Sequence, residues 1–170
     1  TFYSATKAGA ERLCRAFRTE FKKPVITVRP ATVIGVGEQE EHLIPKLIKS
    51  CLAGVKMPFV PQPTHDFIDI RDVCKAVFTL CTAESLKTDV FNLSNNRAIT
   101  NQIIRELVES ITGNKANVKE VAALRSYDTD HWAVDNTALL ETGFRPSFSL
   151  KDSIESMVEY YEANNTRKTN

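Results

Sequence analysis

Between Phe2 and Lys22 the apolar residues Ala5, Ala8, Leu13, Ala16, Phe17 and Phe21 recur near helical spacing, with Lys, Arg and Glu between them. This predicts a long amphipathic helix, stopped by Lys22, Lys23 and Pro24. Val25 to Val28 is a β-branched run closed by Arg29 and Pro30, the pattern of a short buried strand. Ala31 to Gly37 reads as a loop with two glycines, and Leu43, Ile44, Leu47, Ile48 and Leu52 mark a second helix closing near Gly54. Pro58, Pro61 and Pro63 make the next segment extended and turn-rich. Apolar and acidic residues alternate from Asp66 to Ile70, as in a strand. Asp69 or Asp72 is placed to cap a helix whose face is Val73, Val77, Leu80 and Cys81.

Val90 to Leu93 is a further strand, Ser94 to Arg97 a polar turn, and Thr100 the N-cap of a helix with the stripe Ile103, Ile104, Leu107, Val108 and Ile111, ended by Gly113. Val118 to Val121 is a weaker strand. Asp135 caps a short helix through Leu139 and Leu140 that stops at Gly143, and Ser149 opens a last helix over Leu150 to Asn164. Strand and helix alternate throughout, which predicts an α/β architecture.

Composition narrows the partners. Lys plus Arg number 22 against 21 Asp plus Glu, a formal net charge of +1, so no whole-molecule field gathers polyanions. Nothing approaches the roughly 18 consecutive apolar residues of a membrane span. The expectation is no nucleic acid and no membrane. Cys14, Cys51, Cys74 and Cys81 form no Cys-x-x-Cys pair, and their mostly apolar neighbours predict buried thiols in a reducing, cytoplasmic setting. The chain opens at Thr1, and any targeting signal would precede it.

Candidate chemistry sits at the start. Tyr3 and Lys7 in Tyr3-Ser4-Ala5-Thr6-Lys7 lie four apart, on one helix face. A phenol, with a pKa of about 10, is a poor acid/base group at neutral pH unless a cation favours the phenolate. Lys7 is placed to be that cation, and in an oxidoreductase such a tyrosine takes a substrate proton as hydride leaves for a nicotinamide. The same pair also serves packing and solvation alone, and five residues do not separate the two. Asp66, Asp69 and Asp72 lack a His or Cys array, so capping and solvation are expected of them and no metal. Trp132 is expected in the core rather than as a stacking platform.

Longer runs add a resemblance. Tyr3 to Glu11, followed by a helix and then Val25-Ile26-Thr27-Val28-Arg29-Pro30-Ala31-Thr32-Val33-Ile34-Gly35-Val36-Gly37-Glu38, is similar to the Tyr-x-x-x-Lys helix, strand and loop of the extended short-chain dehydrogenases/reductases, in their NAD-dependent epimerase/dehydratase branch. His65 to Val73 resembles that family's Arg-Asp-Phe-x-x-Val-x-Asp-Val segment, Val90 to Ser94 its strand ending in Asn-hydrophobic-Gly, and Gly143-Phe144-Arg145-Pro146 with Ser149-Leu150 its closing signature. The ordered set covers nearly the whole chain.

The resemblance implies the C-terminal part of a Rossmann-type doubly wound sheet plus a small α/β substrate-binding domain, with the N-terminal glycine-rich half missing. Residues 1–35 would belong to the Rossmann domain and 36–170 mostly to the substrate-binding domain, with 66–93 returning to the Rossmann sheet. Tyr3 would be the acid/base, and Lys7 would hold the nicotinamide ribose and lower the tyrosine pKa. Pro30, Ala31, Thr32 and Val33 would lie along the nicotinamide. Thr32, His65, Arg71, Arg125 and Asp128 would face substrate, with Arg71 equally able to bridge elements.

Thr32 stands where the family often carries Asn, and His65 where many members carry an Arg that grips a diphosphate. The implied parent uses NAD or NADP on a small-molecule substrate, a nucleotide sugar, as a homodimer or completed by the missing half. The glycine-rich phosphate turn is absent, since Gly35-Val36-Gly37-Glu38 has no third glycine. This chain alone is therefore expected to bind little or no cofactor and to be inactive. Two alternatives remain: a reductase or hydroxysteroid-type dehydrogenase of the same fold, favoured by Thr32 and His65, and a non-catalytic interaction module completed by a partner chain.

Overall fold

A computed structural model of the chain describes residues 1–122 and 132–166. Its first element, α1 (Phe2–Phe21), starts where the Thr1 side chain accepts a hydrogen bond from the Ser4 N–H and stops where Lys22 turns left-handed. Two parallel strands follow in succession, β1 (Thr27–Pro30) and β2 (Thr32–Ile34). The expected strand thus begins two residues later than its β-branched run, and the expected loop contains β2. The turn over residues 35–42 leads to α2 (Leu43–Ala53), which ends at Gly54 with φ 67°. Then come β3 (Met57–Phe59), β4 (Thr64–Asp69) and α3 (Ile70–Thr82).

The second half holds β5 (Val90–Leu93), β6 (Ala98–Thr100), α4 (Asn101–Thr112), β7 (Val118–Glu120), α5 (Thr137–Leu140) and α6 (Leu150–Thr166). Thr100 caps α4 as expected, its hydroxyl accepting from the Ile103 N–H. Ser149 and Asp152 cap α6 reciprocally: each side chain accepts the other's backbone N–H.

Among the described residues three small sheets form. β1 runs parallel to β5, with Thr27 opposite Val90 and Pro30 opposite Leu93. β2 runs parallel to β4, with Thr32 opposite Phe67, and β6 adds to β4 antiparallel. β3 runs parallel to β7. Parallel neighbours require crossovers, which α2, α3 and α4 supply. One apolar cluster gathers α2, α4 and α6 around Ile34, Leu47, Ile48, Ile104 and Met157. A second lies under α3 and β5 around Ile68, Leu80, Phe91, Leu93 and Leu139.

The α3 face differs from expectation. Asp72, Ala76 and Leu80 are its buried residues, while Val77, Phe78 and Cys81 are exposed. The helix begins one turn earlier than its apolar stripe implied, and Asp72 points inward to accept N–H bonds from Ser147 and Phe148. The thiols correct a second expectation: Cys51 alone is buried, and Cys14, Cys74 and Cys81 are exposed. Cys14 sits on α1, which buries none of its residues despite Leu13, Phe17 and Phe21. Two ion pairs, Arg29 with Glu11 and Arg18 with Asp89, tie α1 to β1 and to the start of β5.

The Asp66, Asp69 and Asp72 carboxylates are all engaged. Asp66 accepts from the N–H groups of Asn95, Arg97 and Val134, joining β4 to the β5–β6 turn and to the chain before α5. Asp69 caps α3 and accepts from Arg71 and from the buried Ser153 hydroxyl. Burial pulls its carboxyl up, but those hydrogen bonds outweigh it and hold Asp69 below its ordinary value.

Candidate functional site

Two places collect the expected site residues. The first is the exposed face of α1. Tyr3 is 71% exposed, and the Lys7 ammonium lies 5.4 Å from the centre of its ring. Helical spacing alone produces this stacking. One turn further along α1, Glu11 makes a bidentate contact with the Arg29 guanidinium, which ties this helix to β1.

β1 and β2 carry the four residues expected along a nicotinamide. Pro30 has no N–H to give, and the Ala31 N–H donates to Leu93 O at 2.9 Å. Thr32 and Val33 pair with Phe67 and Ile68 of β4. Glycine at position 35 follows from this geometry: its φ is 151°, and a Cβ there would meet Ile70 Cγ2 at 2.5 Å. The first glycine of Gly35-Val36-Gly37 therefore serves close packing against α3.

The second place is a cavity of about 380 Å³. Its wall runs from Thr32 through Glu38 and Glu41 to the first turn of α2, then along Met57 to Val60, and across His65, Phe67 and Asn101. Thr32 and His65, expected from the resemblance to face substrate, both lie on this wall. Beside the His65 ring stand the rings of Phe67 at 5.9 Å and Trp132 at 6.4 Å, centre to centre. Trp132 is 46% exposed rather than in the core, and its backbone N–H donates to the Thr64 hydroxyl. Tyr3 and Lys7 are not part of this wall.

Arg71 stands outside the cavity wall. Its guanidinium makes two bonds to Asp69, at 2.9 and 2.8 Å, and its central carbon lies 3.6 Å from the centre of the Phe148 ring. Bridging α3 to the start of α6 is the role seen. Arg125 and Asp128 lie outside the described residues.

Three cavity residues escaped sequence reasoning. Glu38 belongs to an acidic run, Glu38-Gln39-Glu40-Glu41, that reads as a solvated turn. Only tertiary packing shows that its side chain is 8% exposed. His42 Nδ1 lies 3.1 Å from Glu38 Oε1, one helical turn on. Burial pushes the Glu38 carboxyl above its ordinary value, against the pull of the His42 ring. Asn101 follows the N-cap Thr100 and carries no sequence mark of its own. Its Nδ2 donates to Val60 O at 2.9 Å, fixing the β3–β4 connection to α4.

Chemically, the described residues of the cavity offer carboxylates, imidazoles, an amide and one ammonium, Lys46, above an apolar floor. Lys46 leans on Glu41 at 3.5 Å. Among the described residues no group of three or more His, Cys, Asp or Glu is placed to hold a metal, and no helix is long and apolar enough to cross a membrane.

Solved structures share this fold. The chain superposes on MoeE5 in complex with UDP-glucuronic acid and NAD with a TM-score of 0.87, at 23% identity, over 95% of this chain and 56% of that one. It superposes on the UDP-glucose 4-epimerase of Thermotoga maritima with UDP-glucose with a TM-score of 0.87, at 22% identity, over 96% of this chain and 54% of that one. The fold is thus that of Rossmann-type epimerases and dehydratases.

In sequence, the chain is 27% identical to the low-salt glycan biosynthesis protein Agl12 of Haloferax volcanii, over 94% of this chain and 52% of that protein. It is 26% identical to the dTDP-glucose 4,6-dehydratase of Xanthomonas campestris, over 96% of this chain and 50% of that enzyme. The chain spans about half the length of the curated relatives it matches. With residues 1–94 matched by the model of the NAD dependent epimerase/dehydratase family, and the later strands and helices following in the same fold, this chain belongs to that family of extended short-chain dehydrogenases/reductases.

Proposed function

We propose that this chain is the substrate-side part of an NAD(P)-dependent sugar-nucleotide epimerase or dehydratase, in which Tyr3 is the acid/base. The observation that carries the reading is the Tyr3–Lys7 stack, exposed on α1 and braced against β1 by Glu11 and Arg29. The residues present fit the nicotinamide end of the cofactor. A phenol and an ammonium stand free on one helix face, while the backbone from Pro30 to Val33 follows as the edge along which a ring would lie. They do not supply the diphosphate cradle, because Gly35 is filled by Ile70. That division agrees with residues 1–35 belonging to a Rossmann domain whose sheet is rejoined by β5, the parallel partner of β1.

When bound, the nicotinamide takes up and returns hydride. The Tyr3 hydroxyl holds and moves the proton of the substrate hydroxyl undergoing oxidation, and Lys7 binds ribose hydroxyls and steadies the charge on the phenolic oxygen. Thr32 and His65 orient the substrate. The apolar strip Leu13, Phe17 and Phe21 on α1 is the surface that the rest of the parent protein, or a second copy, covers. Incubating the full-length protein with NAD and a panel of UDP-, GDP- and dTDP-sugars tests the reading: an epimer or a keto sugar from one of them is expected, and conversion of none removes this substrate class.

A second reading, a reductase or hydroxysteroid-type dehydrogenase of the same fold, is favoured by the histidine at position 65. Imidazole lacks the bidentate fork and permanent charge with which arginine grips a diphosphate. Oxidation of an uncharged alcohol in the same panel, with no nucleotide sugar turned over, would select it.

A further inference from the structure

We infer that the cavity beside α2 selects hydrogen-bond donors: Glu38 Oε2 and Asn101 Oδ1 accept N–H or O–H groups of the ligand, and Glu38 is a specificity-determining residue. The inference deepens the proposed function and rests on it only in taking this cavity to hold substrate.

Among the described residues, just two buried side-chain polar atoms lack a hydrogen-bond partner, and they are these two. Both residues lie on the wall of one cavity. Native interiors pair more than nine in ten such atoms, and an orphan costs about 1–3 kcal/mol, more when charged. Two orphans meeting at one site by chance would be unusual, whereas a ligand that completes both explains them together.

The local chemistry fixes what that ligand presents. Each residue already uses its other polar atom, Glu38 Oε1 towards His42 and Asn101 Nδ2 towards Val60 O. The atom left without a partner on each is an acceptor oxygen, so its complement is a donor. A phosphate oxygen is an acceptor and an anion, and it would face the Glu38 carboxyl with no arginine among the described residues of the wall to offset it. The single wall ammonium, Lys46, is drawn to Glu41. A neutral or cationic donor group therefore fits here: the hydroxyls or amine of a sugar ring, or the ring N–H of a nucleobase. Any diphosphate lies away from Glu38. The acidic turn gives the carboxylate a way to reach the ligand, since Val36 and Gly37 are exposed and Glu38 follows Gly37 directly.

The test is calorimetric titration of the full-length protein with UDP-glucose, uridine, methyl α-glucoside and inorganic diphosphate. Wild type is compared with Glu38→Gln, which keeps the shape and removes the charge, and with Glu84→Gln as an exposed control away from the cavity wall. UDP-glucose binding is expected to weaken on the order of tenfold or more in Glu38→Gln and to hold in Glu84→Gln. Of the neutral probes, the one showing the same Glu38 dependence identifies the source, uridine for a nucleobase and the glucoside for a sugar. Diphosphate affinity is expected not to fall. Should Glu38→Gln not fold, as judged by thermal unfolding, Asn101→Ser carries the same comparison.

Equal UDP-glucose affinity in wild type and variant, an equal loss for diphosphate, or binding of none of the four probes overturns the inference. Failure of the proposed function shows differently: a neutral probe binds with the Glu38 dependence, yet no nucleotide sugar is converted.

Discussion

Glu109 lines neither candidate site, yet its removal should loosen one wall of the cavity. Its carboxylate is 6% exposed and accepts from Arg105 Nε at 2.8 Å, Lys115 Nζ at 2.6 Å and the Ala116 N–H at 3.1 Å. The Arg105 guanidinium in turn lies 5.6 Å from the centre of the Phe59 ring, which faces the cavity. Burial raises the Glu109 carboxyl, but the hydrogen bonds from Lys115, Arg105 and Ala116 outweigh it and hold it at about 2, against an ordinary 4.5. At about 1.4 kcal/mol per pKa unit, that depression stabilises the fold by about 3 kcal/mol.

The sign follows from the direction. A carboxyl depressed in the folded state contributes fully above its unfolded value, and the contribution is lost as pH falls from about 5 to about 2. Glu109→Gln should therefore lower stability by about 3 kcal/mol at pH 7, with the gap to wild type closing in acid. Urea unfolding of both proteins at a series of pH values reads this directly. A gap that is absent at pH 7, or that does not shrink on acidification, refutes the electrostatic account of this carboxylate.

Two further outcomes follow from packing. Gly35→Ala places a methyl 2.5 Å from Ile70 Cγ2 at a φ of 151°, and a loss of about 1–3 kcal/mol in thermal or urea unfolding is expected. Ser153→Ala removes the buried hydroxyl that donates to Asp69 Oδ2 at 2.6 Å. It should cost about 1–2 kcal/mol at neutral pH and raise the Asp69 carboxyl towards its ordinary value, so that the deficit narrows as the wild-type Asp69 protonates, measured by the pH dependence of unfolding.

Much of this fold is written in local pattern. The long helices α1, α2, α4 and α6 follow from periodicity, and ends of the last three from Gly54, Thr100 and Ser149, because caps act within a few residues. Three-residue strands carry little pattern: β7 is legible, but β2 lies between Pro30 and Gly35 in what reads as a loop, and β6 follows directly on a polar turn. Burial on α3 was misjudged for a related reason. Asp72 is buried by N–H donors from residues 147 and 148, some 75 positions away, and no local stripe announces such a partner.

At the site, Thr32 and His65 were legible through the resemblance, and the Tyr3–Lys7 stack through helical spacing. Glu38 was not, because an acidic turn is normally solvated and only its packing beside His42 makes it otherwise. The exposed apolar face of α1 has the periodicity of a packed helix. Sequence pattern tells which face is apolar, while its covering depends on what meets it.

The central claim is that Tyr3, steadied by Lys7, moves the substrate proton. Its most direct test is turnover by the full-length protein carrying Tyr3→Phe, on the substrate found in the panel, with NAD binding and thermal unfolding measured alongside. The account predicts a fall in kcat on the order of 10²–10⁴-fold, with the fold and cofactor affinity kept. A Tyr3→Phe protein that turns over at the wild-type rate contradicts it.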